Sequence, residues 1–409
     1  MSRLLPDSRP HDLPQRGILA AHTTRPLVAC LHMTNESLLG LCWDHPRCTQ
    51  PMQAAAALWE QQTGTHMRWE SRSLASFGDQ PLAAAVGGYD VVVIDHPLVG
   101  EAAAHDVLVP LDEHIDAGYL ADLAGQTVGP SYLSYQYAGH QWALPVDAAC
   151  QVTAFRPDVL GSTPLPQSWD DVAELAAEKP QLVALPMQSA HALSALCTLC
   201  ANAGTPVDIN ARWLGEAPHA LELVRRCVNG TALKLRKAEP PEILGELAAG
   251  NDIGYVPLTY GYAGYSALAA AGVGCRFTNI PSGALGQAGA TLGGAGLAVP
   301  SACLQRDEAT KFIQWCCSAT VQREVIATNG GQPAHKAAWD DRAVNASTHD
   351  FYTATRATID MAWVRPRERW WPYFQRNAGE VIQHGIAADE RTTTIVRELR
   401  SVWETALRM

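Results

Sequence analysis

Two short motifs hold the side chains with the most chemistry. Asp44-His45-Pro46 follows the apolar run Leu38–Trp43, and Asp95-His96-Pro97 follows the β-branched run Val91–Ile94. Each run suits a strand buried in a parallel sheet, stopped by proline just after it presents a carboxylate and an imidazole. Ligands of open α/β sheets bind outside the carboxyl ends of strands. Both pairs are therefore expected on the rim of one ligand cleft. Asp44 and Asp95 would accept hydrogen bonds from solute hydroxyls, and Trp43 would stack on a C–H face or pack in the core. The plainer alternative is that each Asp caps the next turn and each His lies at the surface.

A second pattern favours an anion. Arg47 follows Asp44-His45-Pro46 and Arg72 follows the strand Met67–Glu70, with His45 and His96 close by in the same arrangement, and arginine grips carboxylates and phosphates with a planar fork. A helix opening at Thr49 would add a favourable N-terminus. Against this, Asp44–Arg47 and Glu70–Arg72 can be local ion pairs. Polyol and small organic acid both stay open. Tyr260 and Tyr262 follow the strand Ile253–Val256, so at least one is expected to face the cleft. Gly293-Gly294 either lets backbone N–H groups approach a ligand or makes a tight turn before a strand.

Catalytic readings exist too. Cys150 could be a nucleophile with His45 or His96 as its base, although its neighbours Ala148-Ala149 suit a buried thiol. Asp44 and Asp95 could work as paired carboxylates. Two Asp-His pairs are too sparse to prefer a metal centre, so neither metal nor other cofactor is expected, and binding is preferred to catalysis.

The chain of 409 residues is long enough for two domains. With 47% hydrophobic and 17% charged residues it reads as globular. A diffuse net charge of −11 argues against a nucleic-acid partner. The longest uncharged stretch, Phe277–Gln305, is broken by glycines and prolines, so no membrane span is expected. Residues 1–35 read as a loosely ordered arm without a legible export signal. Eleven cysteines at irregular spacing are not a disulfide framework and fit a reducing compartment. Cys197/Cys200 and Cys316-Cys317 read as core thiols.

The elements that must position these residues begin with a β-α-β-α-β run: Leu38–Trp43, a helix Gln53–Gln62 capped by Thr49 with Pro51 in its first turn, Met67–Glu70, Leu82–Val86 and Asp90–Ile94. It implies a parallel sheet flanked by helices. Further strands are expected at Val107–Leu111, Leu182–Met187 and Ile253–Val256. Helices are expected at Trp169–Glu178, behind a Ser168…Asp171 capping box, and at Thr392–Leu407.

In their order, four segments resemble the extracellular solute-binding proteins of ABC importers, specifically the sugar-binding group that includes maltodextrin-binding proteins. They are DVVVID with the later VLVPLDEHID, GHQWALPVDAACQVTAFRPDVL followed by PLPQSWDDVAELA, LAAGNDIGYVPLTYGY, and the run from GGAGLAVP to HKAAWDD. The resemblance covers Leu38 to the C-terminus. It implies an α/β, two-lobed fold of the type II periplasmic-binding-protein kind. Lobe one would be 36–146 with 258–330, and lobe two 147–257 with 331–409. Hinge segments near Val146, Pro257 and Gly331 would let the lobes close around a ligand. It further implies a ligand contact or hinge cap at Asp147, a stacking platform from Trp370 or Trp371, a small polar solute, a membrane permease as partner and a monomer. The periplasm is the compartment that the family implies, while the cysteines leave an intracellular ligand sensor open.

Overall fold

Among the described residues, nine strands carry the architecture. The computed structural model describes residues 37–73, 82–230, 235, 237–250, 252–268 and 274–409; the expected N-terminal arm lies outside them. Strands β1 (Ser37–Trp43), β2 (His66–Arg72) and β3 (Val91–Ile94) are followed by a small hairpin, β4 (Gln136–Tyr137) and β5 (His140–Gln141). Then come β6 (Leu144–Phe155), β7 (Tyr255–Tyr260), β8 (Arg276–Thr278) and β9 (Leu292–Ala298). The main sheet runs β2-β1-β3-β9-β6-β7, with β8 also on β6.

The expected parallel sheet holds for its first three strands: β1 pairs parallel with β2 and with β3. Beyond β3 the sheet turns antiparallel, through β3–β9, β9–β6 and β6–β7. The 12-residue β6 is buried at every position except Phe155. Its first half packs Leu144 and Val146 in one hydrophobic core, and Ala148 and Cys150 open another. The change falls at Asp147.

On the return strand β9 the same change falls between Leu292 and Ala295, and near the third crossing between Ile326 and Ala334. The second crossing expected at Pro257 is therefore displaced. Leu258, Ala263, Phe277 and Ile280 share the core of Ala148. Pro257 instead lies inside β7, beside the register shift between Val152 and Ala154. An irregular rung is where a residue without an N–H is tolerated.

Two further strands fail to form. Val107–Leu111 makes a single bridge, Leu108 to Pro300, and Leu182–Met187 makes one, Val183 to Tyr255. Val183, Ala184, Leu185 and Met187 are buried, so those apolar runs serve side-chain packing rather than a ladder. The capping box forms as expected: Asp171 N donates to Ser168 Oγ and Ser168 N to Asp171 Oδ2, and the helix is Trp169–Glu178. The first helix starts earlier than expected, at Pro46, with His45 as its N-cap and Pro51 inside it. Thr49 is then a first-turn residue, whose hydroxyl donates back to the His45 carbonyl. The ten described cysteines are free and buried. No helix among the described residues is long and apolar enough to cross a membrane.

Candidate functional site

The two Asp-His pairs end up in different surroundings. Asp44 is exposed and makes no side-chain hydrogen bond among the described residues. Its backbone N–H donates to the Arg72 carbonyl, which ends the β1–β2 ladder. His45 accepts from Arg47 N through Nδ1 and packs its ring against Tyr262, with centroids 5.3 Å apart.

Arg47 ties three chain segments together. It donates from Nε and Nη2 to both oxygens of Asp147, at 2.8 and 2.5 Å, and from Nη1 to the Gly261 carbonyl at 3.0 Å. Its guanidinium also lies 4.9 Å from the centre of the Tyr262 ring. Only 9% of the Arg47 and 7% of the Asp147 side chain is accessible. Burial opposes the charge on Arg47, but Asp147 overcomes it and raises the guanidinium pKa. Trp43 is half-buried beside this pair and packs on the first core.

The same crossing is stitched by two buried glutamines. Gln322 Nε2 donates to the Val146 and Cys316 carbonyls, while its Oε1 accepts from Ala334 N and His335 N. Gln332 Nε2 donates to the Ala148 carbonyl and its Oε1 accepts from Ala263 N. Arg47 and Asp147, bonded to each other and to Gly261, read as a tie between segments.

The second cluster gathers around Asp95, at the end of β3. Arg365 Nη2 donates to both Asp95 oxygens at 2.7 and 2.8 Å, and Nη1 donates to Gln375 Oε1 at 3.2 Å. Gln375 also accepts from Trp371 Nε1. His96 is wholly buried, with Nδ1 3.3 Å from Asp95 Oδ1 and its ring edge-on to Tyr135. His191 stands edge-on to Tyr260, with centroids 5.7 Å apart. Three buried polar atoms here have no hydrogen-bond partner: Nε2 of His96, Nδ1 of His191 and Nε of Arg365. Such groups are costly to bury unpaired. Asp95 keeps 43% of its side chain accessible against 8% for Arg365, so the carboxylate borders open space.

The glycines serve packing. A Cβ on Gly293 would lie 2.6 Å from Cε1 of Tyr260, so Gly293 makes room for that ring. A Cβ on Gly294 would lie 2.4 Å from the Asp147 carbonyl oxygen, and the residue has a φ of +102°. Neither position matches the expected approach of a backbone N–H to a ligand or a simple tight turn: both glycines lie in β9, paired with Ala149 and Ala148.

Other expected residues fall outside the two clusters. Arg72 donates to the Ala85 carbonyl and to Tyr89 Oη, so the anion grip by Arg47 and Arg72 is not assembled. The expected local pairs do not form either, because Arg47 takes Asp147 and Glu70 pairs with Arg68. Trp370 packs edge-on to Trp403 at 4.9 Å, beside Phe374 and Trp371, which makes it part of a packed aromatic group. Cys150 is 3% exposed, and burial pushes its thiol pKa up, away from a reactive thiolate. No group of three or more His, Cys, Asp or Glu able to hold a metal occurs among the described residues.

Arg365, His191, Gln375, Gln322 and Gln332 escaped sequence reasoning. Their partners are far away in the chain; Asp95 and Arg365 are 270 residues apart. The only local trace is an arginine set between Ala362-Trp363-Val364 and Pro366.

Burial, with Arg365 adding to it, lowers both His96 and His191 from 6.5 to about 4. Below pH 6.5 the unfolded chain therefore binds protons that the folded chain refuses. Stability present above that pH is lost as pH falls toward 4. Each shift corresponds to up to about 3 kcal/mol. A steep fall in the unfolding midpoint between pH 6.5 and 4.5 is the expected result of a thermal series, softened in His191→Leu; a flat profile would refute it.

Comparison with known proteins accords with this geometry. Residues 60–352, more than half of the chain, match the model of the family described as bacterial extracellular solute-binding protein. No curated protein matches the chain. An ABC transporter solute-binding protein from Agrobacterium radiobacter K84, solved with ribitol, is similar at a TM-score of 0.76 and 18% identity, covering 91% of this chain and 98% of that one. A solute-binding protein from Thermotoga lettingae TMO, bound with α-D-tagatose, gives 0.76 and 14%, covering 91% and 100%. The sugar-binding protein MalE from Xanthomonas citri gives 0.72 and 16%, covering 91% and 98%. These likenesses show the type II periplasmic-binding-protein fold, and the family match goes further: the chain belongs to the bacterial extracellular solute-binding proteins.

Proposed function

We propose that this protein is the substrate-binding component of an ABC importer, and that it captures a small neutral sugar or polyol between two lobes. The lobes follow the cores: 37–146 with 295–331, and 148–292 with 334–409. Crossings at Asp147, Gly293-Gly294 and 331–333 form the hinge. The protein works as a monomer that delivers its solute to a membrane permease.

One observation carries the reading. The unpartnered nitrogens of His96, His191 and Arg365 lie around the Asp95–Arg365 pair and the Tyr260 ring. A polyol offers hydroxyls that both donate and accept, and so can satisfy imidazoles and a guanidinium N–H while its C–H face meets an aromatic ring. Charge supports the neutral solute over the organic acid. Arg47 and Arg365 each face one carboxylate, so neither guanidinium is left free to match an anion. The similar solute-binding proteins solved with ribitol and with α-D-tagatose support the same solute class.

A thermal-shift panel of sugars, polyols, sugar acids and small carboxylates tests this. A bound solute at about 100 times its Kd stabilises by roughly 2.7 kcal/mol, a shift of about 3 °C for a chain of this size. A neutral sugar or polyol, recovered unchanged by mass spectrometry, is the expected hit. Chemical conversion of the hit would refute the receptor reading.

A further inference from the structure

We propose that Asp95 is a specificity-determining residue: as a built-in counter-anion to Arg365, it makes the site refuse solutes that carry a carboxylate. This rests on the Asp95–Arg365 cluster being the solute site.

The case is one of matching donors and charge. Arg365 gives Nη2 to both Asp95 oxygens and Nη1 to Gln375, whereas Nε has no partner. Its charge is spent, but the Nε–H is left without a partner. A solute hydroxyl can accept from Nε without bringing charge. A solute carboxylate at the same place would set a second anion within a few ångströms of Asp95, where like charges disfavour each other strongly once water is thinned.

Asp95 is also held in place. It follows the fully buried run Val91–Ile94, and a turn through His96 and Pro97 comes directly after it. Its accessible side chain meets the space that a solute would enter, whereas Arg365 lies behind it. A chain that needed its buried arginine to capture an acid would not cover it with an acid of its own.

The test uses matched pairs: five- and six-carbon polyols beside their aldonic acids, titrated by thermal shift and calorimetry. Wild type is expected to favour the polyol of a pair by about tenfold or more. Asp95→Asn keeps an acceptor oxygen but frees the guanidinium charge, and is expected to gain about tenfold or more for the aldonate. The double variant Asp95→Asn/Arg365→Gln removes both charges. It is expected to fold and to show no gain for the acid, and together with the wild-type ratio it decides the matter should Asp95→Asn not fold. An Asp95→Asn protein that binds polyol yet stays blind to aldonates would overturn the proposal. A wild type that prefers the aldonate would overturn it while leaving the receptor reading intact. A wild type that binds neither member of any pair would overturn both.

Discussion

Replacing Asp147 with alanine is expected to destabilise the protein by about 3–5 kcal/mol, because it leaves a buried guanidinium with no anion. Arg47 would retain only the Gly261 carbonyl and the face of Tyr262, and neither carries a charge. The loss should appear as a lower denaturation midpoint with an unchanged slope, since the surface exposed on unfolding stays the same. The double variant Arg47→Met/Asp147→Ala should recover much of it, because a hydrophobic side chain tolerates the site that an orphan cation does not. Equal instability of single and double variants would show that the pair acts mainly through packing volume. Recovery would show that charge matching is what the crossing at Asp147 requires.

Gly294→Ala is the second large effect, expected at about 3 kcal/mol or more. Two costs combine at this position. An L-residue at a φ of +102° is strained by about 1–3 kcal/mol, and its Cβ would meet the Asp147 carbonyl oxygen at 2.4 Å. That oxygen is backbone in the middle of β6, so it cannot swing aside as a flexible side chain would; the β6–β9 pairing must shift instead. Gly286→Ala provides the control. Its φ is +61° with no atom within 4 Å of the new Cβ, so only conformational strain of about 1 kcal/mol is expected. Similar losses at both positions in chemical denaturation would contradict the close approach at Gly294.

Local rules made much of the scaffold legible. The Val91–Ile94 run, the capping box at Ser168 and the C-terminal helix follow from periodicity and capping, which act within a few residues. In that last helix Ile395, Leu399 and Trp403 are buried as their spacing requires, although Leu407 turns outward. What local rules missed are features set by distant contacts. Val107–Leu111 and Leu182–Met187 look like strands because they are apolar, but a ladder needs a partner along its length and each finds only one rung.

The site shows the same division. Asp95, His96 and Tyr260 are singled out because they are expected to follow strand ends; Asp95 and His96 do, while Tyr260 closes β7 itself. Arg47, His45, Tyr262 and Asp147 are also singled out, the last as a solute contact or a hinge cap, and the structure binds them to one another. Nothing near Arg365 or His191 in the sequence announces that they meet Asp95 and Tyr260. Only the fold brings residues 95, 191, 260 and 365 together.

The central claim is that a neutral polyhydroxy solute binds at the Asp95–Arg365–Tyr260 cluster. Its most direct test repeats the solute panel on wild type and on Tyr260→Ala, with the strongest hit followed by calorimetry. A single site per chain that prefers a neutral sugar or polyol, weakened about a hundredfold or more in the variant, is the predicted result. The same affinity in both proteins would place the solute elsewhere and contradict the account.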